Sequence, residues 1–229
     1  MPLSSISSSR ALTSYAKVRR LIGWVRRNRS FQLGLGRIAT LQYLDIGCGP
    51  KTHAQFINLD YSWYPQVDVC WDIRRGLPFR DQSLRGVFSE HCLEHFDLPE
   101  ALILLREIRR VLQPGGTVRI IVPDGEIYLR TYLRHLNGDH HGRFPFQEAD
   151  DQGKLWTPIA SVNRLFYMDR AHPWGHRTIY DGELLSAALR ECGFTGIQKC
   201  GFNLGRDRQL LIDSPSRQIE SLYVEASVS

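Results

Sequence analysis

Five short apolar runs each close on a glycine, an acid or a proline. Leu41–Ile46 runs into Gly47-Cys48-Gly49-Pro50, Phe56–Leu59 into Asp60, and Val67–Trp71 into Asp72; Gly86–Ser89 runs into Glu90-His91, and Thr117–Val122 into Pro123-Asp124. An apolar run this short, bounded by turn residues, reads as a strand buried on both faces. Between the fourth and fifth runs stands a helix with legible ends. Asp97 can cap its free N–H groups, Pro99 suits the first turn, and Glu100 completes a capping box. Its apolar face is Leu98, Ala101, Leu102, Leu105, Ile108 and Leu112, and Pro114-Gly115-Gly116 stops it. A further helix spans Glu126–Leu136. Another follows Asp181, with Leu184, Leu185, Ala188 and Leu189 inward and Gly193 at its end. Thr195–Phe202 and Ile219–Ala226 form two last strands that can pair antiparallel. Strands and helices in this alternation predict an α/β fold: a seven-stranded, mostly parallel sheet with helices on both faces and an antiparallel last strand.

Composition narrows the class. Of the 229 residues 42% are hydrophobic, yet the longest apolar stretches, such as Leu102–Leu105, fall far short of a membrane-spanning helix. Five cysteines (Cys48, Cys70, Cys92, Cys192, Cys200) form no CxxC pair, which argues against a disulfide scaffold or zinc ribbon and for the reducing cytoplasm. The net charge of +5 is unevenly placed: Met1 to Leu44 holds eight basic residues and no acid, so the remainder carries +5 − 8 = −3. The chain divides into a basic arm, 1–40, and a main domain, 41–229, within which the polar and aromatic stretch 137–178 is an insertion.

In the arm, Leu12, Tyr15, Val18, Leu21, Ile22 and Val25 recur at helical spacing among arginines. Such a helix can dock its apolar stripe on the main domain, lie on an anionic membrane surface, or belong to a transit peptide.

Ligands of open α/β sheets bind outside the carboxyl ends of the strands. Gly47 and Gly49 permit a tight turn there and leave the main chain bare. Asp60, closing the second run, is placed to accept hydrogen bonds from two ribose hydroxyls, and Asp72 can receive an adenine amine. The third glycine of a dinucleotide fingerprint is replaced by Thr52, so a nucleoside ligand without phosphates fits better than NAD.

These motifs resemble the class I S-adenosylmethionine (SAM)-dependent methyltransferases of the group called methyltransferase domain type 11, whose fold is Rossmann-like. The resemblance covers Leu41–Asp124. Leu44-Asp45-Ile46-Gly47-Cys48-Gly49-Pro50 is similar to the family's first motif, and Val87-Phe88-Ser89-Glu90-His91 to the run whose end faces the transferred methyl. Arg106–Gly116 resembles its most specific signature. The resemblance implies SAM as cofactor, held by Asp45, Gly47, Cys48, Gly49, Asp60, Tyr61, Asp72, Ile73 and Ser89. It implies methyl transfer to an oxygen or nitrogen of a small-molecule or glycan-type acceptor, the subset linked to polysaccharide biosynthesis being closest. Only fourteen residues separate Asp45 from Asp60, so the helix after the first motif is very short or absent.

Glu90, His91 and His176 are the candidate catalytic residues, either histidine being able to take a proton from an acceptor hydroxyl. The 137–176 stretch, with Phe144, Phe146, Trp156, Phe166, Tyr167 and Trp174, would hold the acceptor. His91-Cys92-Leu93-Glu94-His95 matches the H-x-x-E-H pattern of zinc metallopeptidases. That chemistry needs a helix for which Ser89 to Asp97 has no room, so no metal is expected. His135, Asp139, His140 and His141 read as a polar helix end. Two alternatives stand beside the primary one: an RNA methyltransferase using the basic arm, against which the net-negative main domain argues, and a non-catalytic SAM-binding module. The expected location is cytoplasmic, with peripheral membrane contact through the arm.

Overall fold

The structure is a computed structural model that describes residues 17–27, 38–139, 144, 157–167 and 175–229. The expected seven strands are present: β1 Tyr43–Ile46, β2 Ile57–Asp60, β3 Val69–Cys70, β4 Leu84–Glu90, β5 Leu112–Pro123, β6 Thr195–Cys200 and β7 Ser221–Ser227. Their order is β3-β2-β1-β4-β5-β7-β6. β1 to β5 pair in parallel, and β7 runs antiparallel to both β5 and β6.

α1 (Leu98–Val111) begins as its sequence dictates. The Asp97 side chain accepts from the Glu100 amide, and the Glu100 side chain accepts from that of Asp97. Its buried stripe is Ala101, Leu104, Leu105, Ile108 and Val111, rotated from the expected one. The helix ends before the Pro-Gly-Gly, because Leu112 already belongs to β5. α2 (Gly125–Leu136) is capped by Asp124, and α4 (Gly182–Glu191) by Asp181. Part of the insertion is regular where irregular chain is expected: α3 (Pro158–Tyr167) packs against α2. Phe146, Trp156, Trp174, His140 and His141 lie outside the described residues, as do the first sixteen.

Alternation along the strands sorts side chains to two faces. Val87, Val118, Ile120, Val122, Leu222 and Val224 join Leu44, Ile46 and Leu59 in a core closed by α1 and α4. On the other face Phe56, Phe88, Ile121 and Tyr223 pack with Leu210 of the short turn Arg208–Leu210.

That second face also carries a buried charge. Arg119, 0% exposed, sits opposite Glu225 in the β5–β7 register. Its Nε and one terminal nitrogen donate to Asp213 at 2.8 and 2.5 Å, and the other nitrogen donates to Glu225 at 3.0 Å. The carbonyls of Gly201 and Leu204 accept at 3.0 and 3.1 Å. All five guanidinium donors are thereby satisfied.

The helical residues 17–27 dock in an orientation opposite to the expected one. Arg19 lies 3.7 Å from the centre of the Tyr64 ring and donates to the Trp63 carbonyl at 3.0 Å. Arg27 lies 3.8 Å over Tyr61 and donates to its carbonyl. The apolar stripe turns outward instead, with Val18 49% and Leu21 61% exposed. Arginine binds here because rings and carbonyls offer it partners without requiring its charge to be buried.

Replacing Arg119 by methionine leaves Asp213 and Glu225 buried without their counter-charge. The expected loss is about 3–5 kcal/mol, read as a lower urea midpoint at unchanged slope.

Candidate active site

The direction of strand succession reverses between β1 and β4, and a crevice opens outside the carboxyl ends of the strands on either side of that point. Because β1 crosses to β2 by turns alone, with no helix between them, the crevice is walled by loops. It holds a cavity of about 230 Å³. Of the predicted residues, Gly47, Asp60, Tyr61, Asp72, Ile73 and His91 line it.

Asp60 is the best-defined group in that wall. Its Oδ2 accepts from the Gly49 amide at 2.9 Å and its Oδ1 from the Ser62 amide at 2.6 Å. Burial raises its pKa, and those two amides oppose the rise. Each oxygen is used once by the main chain, which leaves a lone pair on each for a ligand. Gly47 and Gly49 both adopt positive φ, +74° and +56°. The Gly47 and Cys48 amides both point at the Leu59 carbonyl, at 2.8 and 3.2 Å, which ties the turn to β2.

Asp72 lines the cavity with its carboxylate already engaged. It caps the short turn Ile73–Arg75 and pairs with Arg74 at 2.7 Å, and the Arg74 hydrogen bonds hold its pKa down. The sequence spacing does not reveal this competitor.

The remaining expected cofactor residues stand behind the wall. Asp45 is buried beneath the turn, and burial together with the carboxylates of Glu90 and Asp60 lifts its pKa well above the ordinary range. Cys48 packs its side chain with Val67 and Cys70 in a small apolar cluster. Ser89 is buried at the end of β4. Gly49 acts at one remove, through its bond to Asp60.

Among the candidate catalytic residues, only His91 reaches the cavity. It has φ +49°, a left-handed conformation uncommon outside glycine and frequent at functional sites. Its Nε2 lies 2.8 Å from the Ser221 hydroxyl, and burial keeps the ring neutral by lowering its pKa well below the usual value. Glu90 instead accepts from the Ser214 amide at 2.8 Å and from the Ser214 hydroxyl. It holds the C-terminal segment against β4. His176 does not line the cavity: its Nδ1 is 2.7 Å from the Leu165 carbonyl, and its other nitrogen faces Glu94.

Sequence reasoning passes over Tyr64, Trp71, Cys92, His95 and Phe96, which complete the cavity wall. His95 could have been found. It belongs to the loop between β4 and α1, and that loop must cross the carboxyl end of the sheet whether or not it is helical.

Residues 44–120 match the family described as methyltransferase domain. The chain carries a methyltransferase domain over that segment. The segment matched is the one on which the motifs resemble the SAM-dependent methyltransferases. A SAM-dependent methyltransferase from Archaeoglobus fulgidus shares the fold: it is 17% identical and aligns over 91% of this chain and 94% of its own, with a TM-score of 0.50. One from Methanosarcina mazei is 15% identical over 81% of this chain and 91% of its own, with a TM-score of 0.48. No curated protein matches the chain by sequence.

A Cβ on Gly47 of the methyltransferase domain would stand 2.8 Å from Cys92 Sγ and 2.9 Å from its Cβ, whereas one on Gly49 would meet nothing within 4 Å. Gly49→Ala should therefore cost only the left-handed backbone, about 1–2 kcal/mol. Gly47→Ala adds overpacking and should cost roughly 2–4 kcal/mol in urea unfolding.

Proposed function

We propose that the chain binds SAM in this cavity and transfers its methyl group to an oxygen or nitrogen of a small-molecule or glycan-type acceptor. The observation that carries the reading is Asp60: a half-buried carboxylate lining the cavity from the end of β2, oriented by two amides, with one lone pair per oxygen left for a ribose diol. The rest of the wall suits a nucleoside as well. Trp71, Tyr64 and Phe96 supply flat apolar surface, and the Gly47 turn lets a ligand approach the main chain.

Bound SAM supplies an electrophilic methyl on a sulfonium. The protein's part is then to align the acceptor and exclude water. His91, at the wall, could accept the proton of an acceptor hydroxyl through Nε2 if that hydroxyl displaced Ser221, since its Nδ1 is buried toward Glu94. Glu90 is a positioning residue, because its carboxylate anchors Ser214 and does not enter the cavity.

The RNA reading loses support from the arm, since Arg19, Arg26 and Arg27 donate to the domain's own carbonyls. The outward face of the same helix, with Val18, Leu21 and Trp24 beside Lys17 and Arg20, instead favours peripheral contact with an anionic membrane. Sedimentation with phosphatidylserine vesicles should carry down the wild type and leave Leu21→Glu in solution. Equal sedimentation of both counts against that contact.

Isothermal titration tests the cofactor site. Asp60→Asn removes charge from two hydrogen bonds worth about 1.5–3 kcal/mol each, so SAM affinity should fall at least tenfold. Undiminished binding overturns the assignment. Labelled SAM incubated with extract fractionated into glycans, small metabolites, lipids and RNA should place label in glycans or small metabolites.

A further inference from the structure

Behind His91 lies a polar cluster that methyl transfer does not require. Glu94 is 1% exposed, and neither of its carboxylate oxygens has a hydrogen-bond partner. Burial pushes its pKa up to about 8. Three imidazoles surround it: His91 Nδ1 at 3.6 Å, His95 Nε2 at 3.9 Å and His176 Nε2 at 3.9 Å, all measured to Oε1.

The protonation of His176 can be worked out from its partners. Its Nδ1 is 2.7 Å from the Leu165 carbonyl, which can only accept, so Nδ1 carries the hydrogen. The other nitrogen, Nε2, is buried without a hydrogen-bond partner and faces a Glu94 oxygen. Both Glu94 oxygens and His176 Nε2 are thus buried without a hydrogen-bond partner, and 3.9 Å is too long for them to bond each other. A metal ion between them, displacing the proton that burial favours on Glu94, would satisfy both groups.

We propose that Glu94, His95 and His176 form a binding site for a first-row transition-metal dication of the Zn²⁺ class. One ligand atom from each, the three lying within 4.8 Å of one another, makes the set. Bonds of about 2.0–2.2 Å at tetrahedral angles put ligand atoms roughly 3.3 Å apart, so each histidine nitrogen, 3.9 Å from the carboxylate oxygen, needs to move toward it by only about half an ångström. The Leu165 carbonyl on Nδ1 supplies the outer partner that metal-bound histidines characteristically have, fixing the tautomer and the ring. Two imidazoles and a carboxylate leave coordination positions open. His95 also lines the cavity, so the group borders the proposed cofactor space. The H-x-x-E-H spacing thus supplies its glutamate and second histidine from a single short turn, Leu93–His95, and the third ligand comes from the end of the insertion.

The test requires no SAM, so its failure and that of the cofactor reading are separable. Full-length protein stripped with a chelator is titrated with Co²⁺, followed by its visible d–d absorption, and Zn²⁺ is then added to displace it. The expected result is one Co²⁺ per chain, displaced by Zn²⁺. Affinity should fall at least tenfold in Glu94→Gln and in His176→Ala, and stay at the wild-type value in His135→Ala, whose histidine lies outside the cluster. Circular dichroism verifies folding, and His95→Gln replaces any variant that fails it. The proposal is overturned if the wild type gives no stoichiometric Co²⁺ spectrum, or if folded Glu94 and His176 or His95 variants bind as the wild type does.

Discussion

The buried guanidinium of Arg119 holds the C-terminal third of the chain to the sheet. Moving this charge and two carboxylates out of water is costly, and the arrangement persists only because every donor finds an acceptor. Those acceptors come from four places: Gly201, Leu204, Asp213 and Glu225. Satisfying Arg119 therefore fixes the excursion between β6 and β7. Ser214, the neighbour of Asp213, is then held against Glu90, and Ser221, which opens β7, against His91. The end of β4, where the proposed chemistry lies, is thus braced from behind by a cluster that never touches a ligand.

A second constraint is the crossover from β1 to β2. Parallel strands usually need a helix to return the chain. Here the Gly47–Cys48 amides and the Gly49–Asp60 bond tie turn to strand directly. Part of the cavity wall is made instead by Tyr61, Ser62 and Tyr64, and Arg19 and Arg27 of the arm stack on the Tyr64 and Tyr61 rings. The basic arm is in this way part of the cavity's support.

Much of this was legible in the sequence, for local reasons. The capping box of α1, the seven strands and the position of Asp60 follow from patterns spanning a few residues. Arg119 was invisible: its partners lie 94 and 106 positions away, and a charged residue amid β-branched neighbours gives no sign of what will face it. The same holds for His176 and Glu94, which the fold joins across the insertion. Which face of the arm docks is hidden for a different reason. Its apolar periodicity is genuine, but a hydrophobic stripe does not specify which face docks when the opposite face can stack on aromatic rings. Asp72 had the right place and an unforeseen neighbour, Arg74, two residues on.

The cavity and its surroundings are acid-rich. Asp60 and Asp72 line it, and Asp45, Glu90 and Glu94 stand close behind. Carboxylates raise one another's pKa when crowded away from water, as Glu90 and Asp60 do for Asp45. Such a site favours a ligand bearing positive charge, which relieves the repulsion, and it holds that ligand less well once the charge is gone. A sulfonium that becomes a neutral thioether on losing its methyl group meets both conditions. The electrostatics that the sheet imposes at its carboxyl end would therefore strengthen binding before transfer and weaken it afterwards.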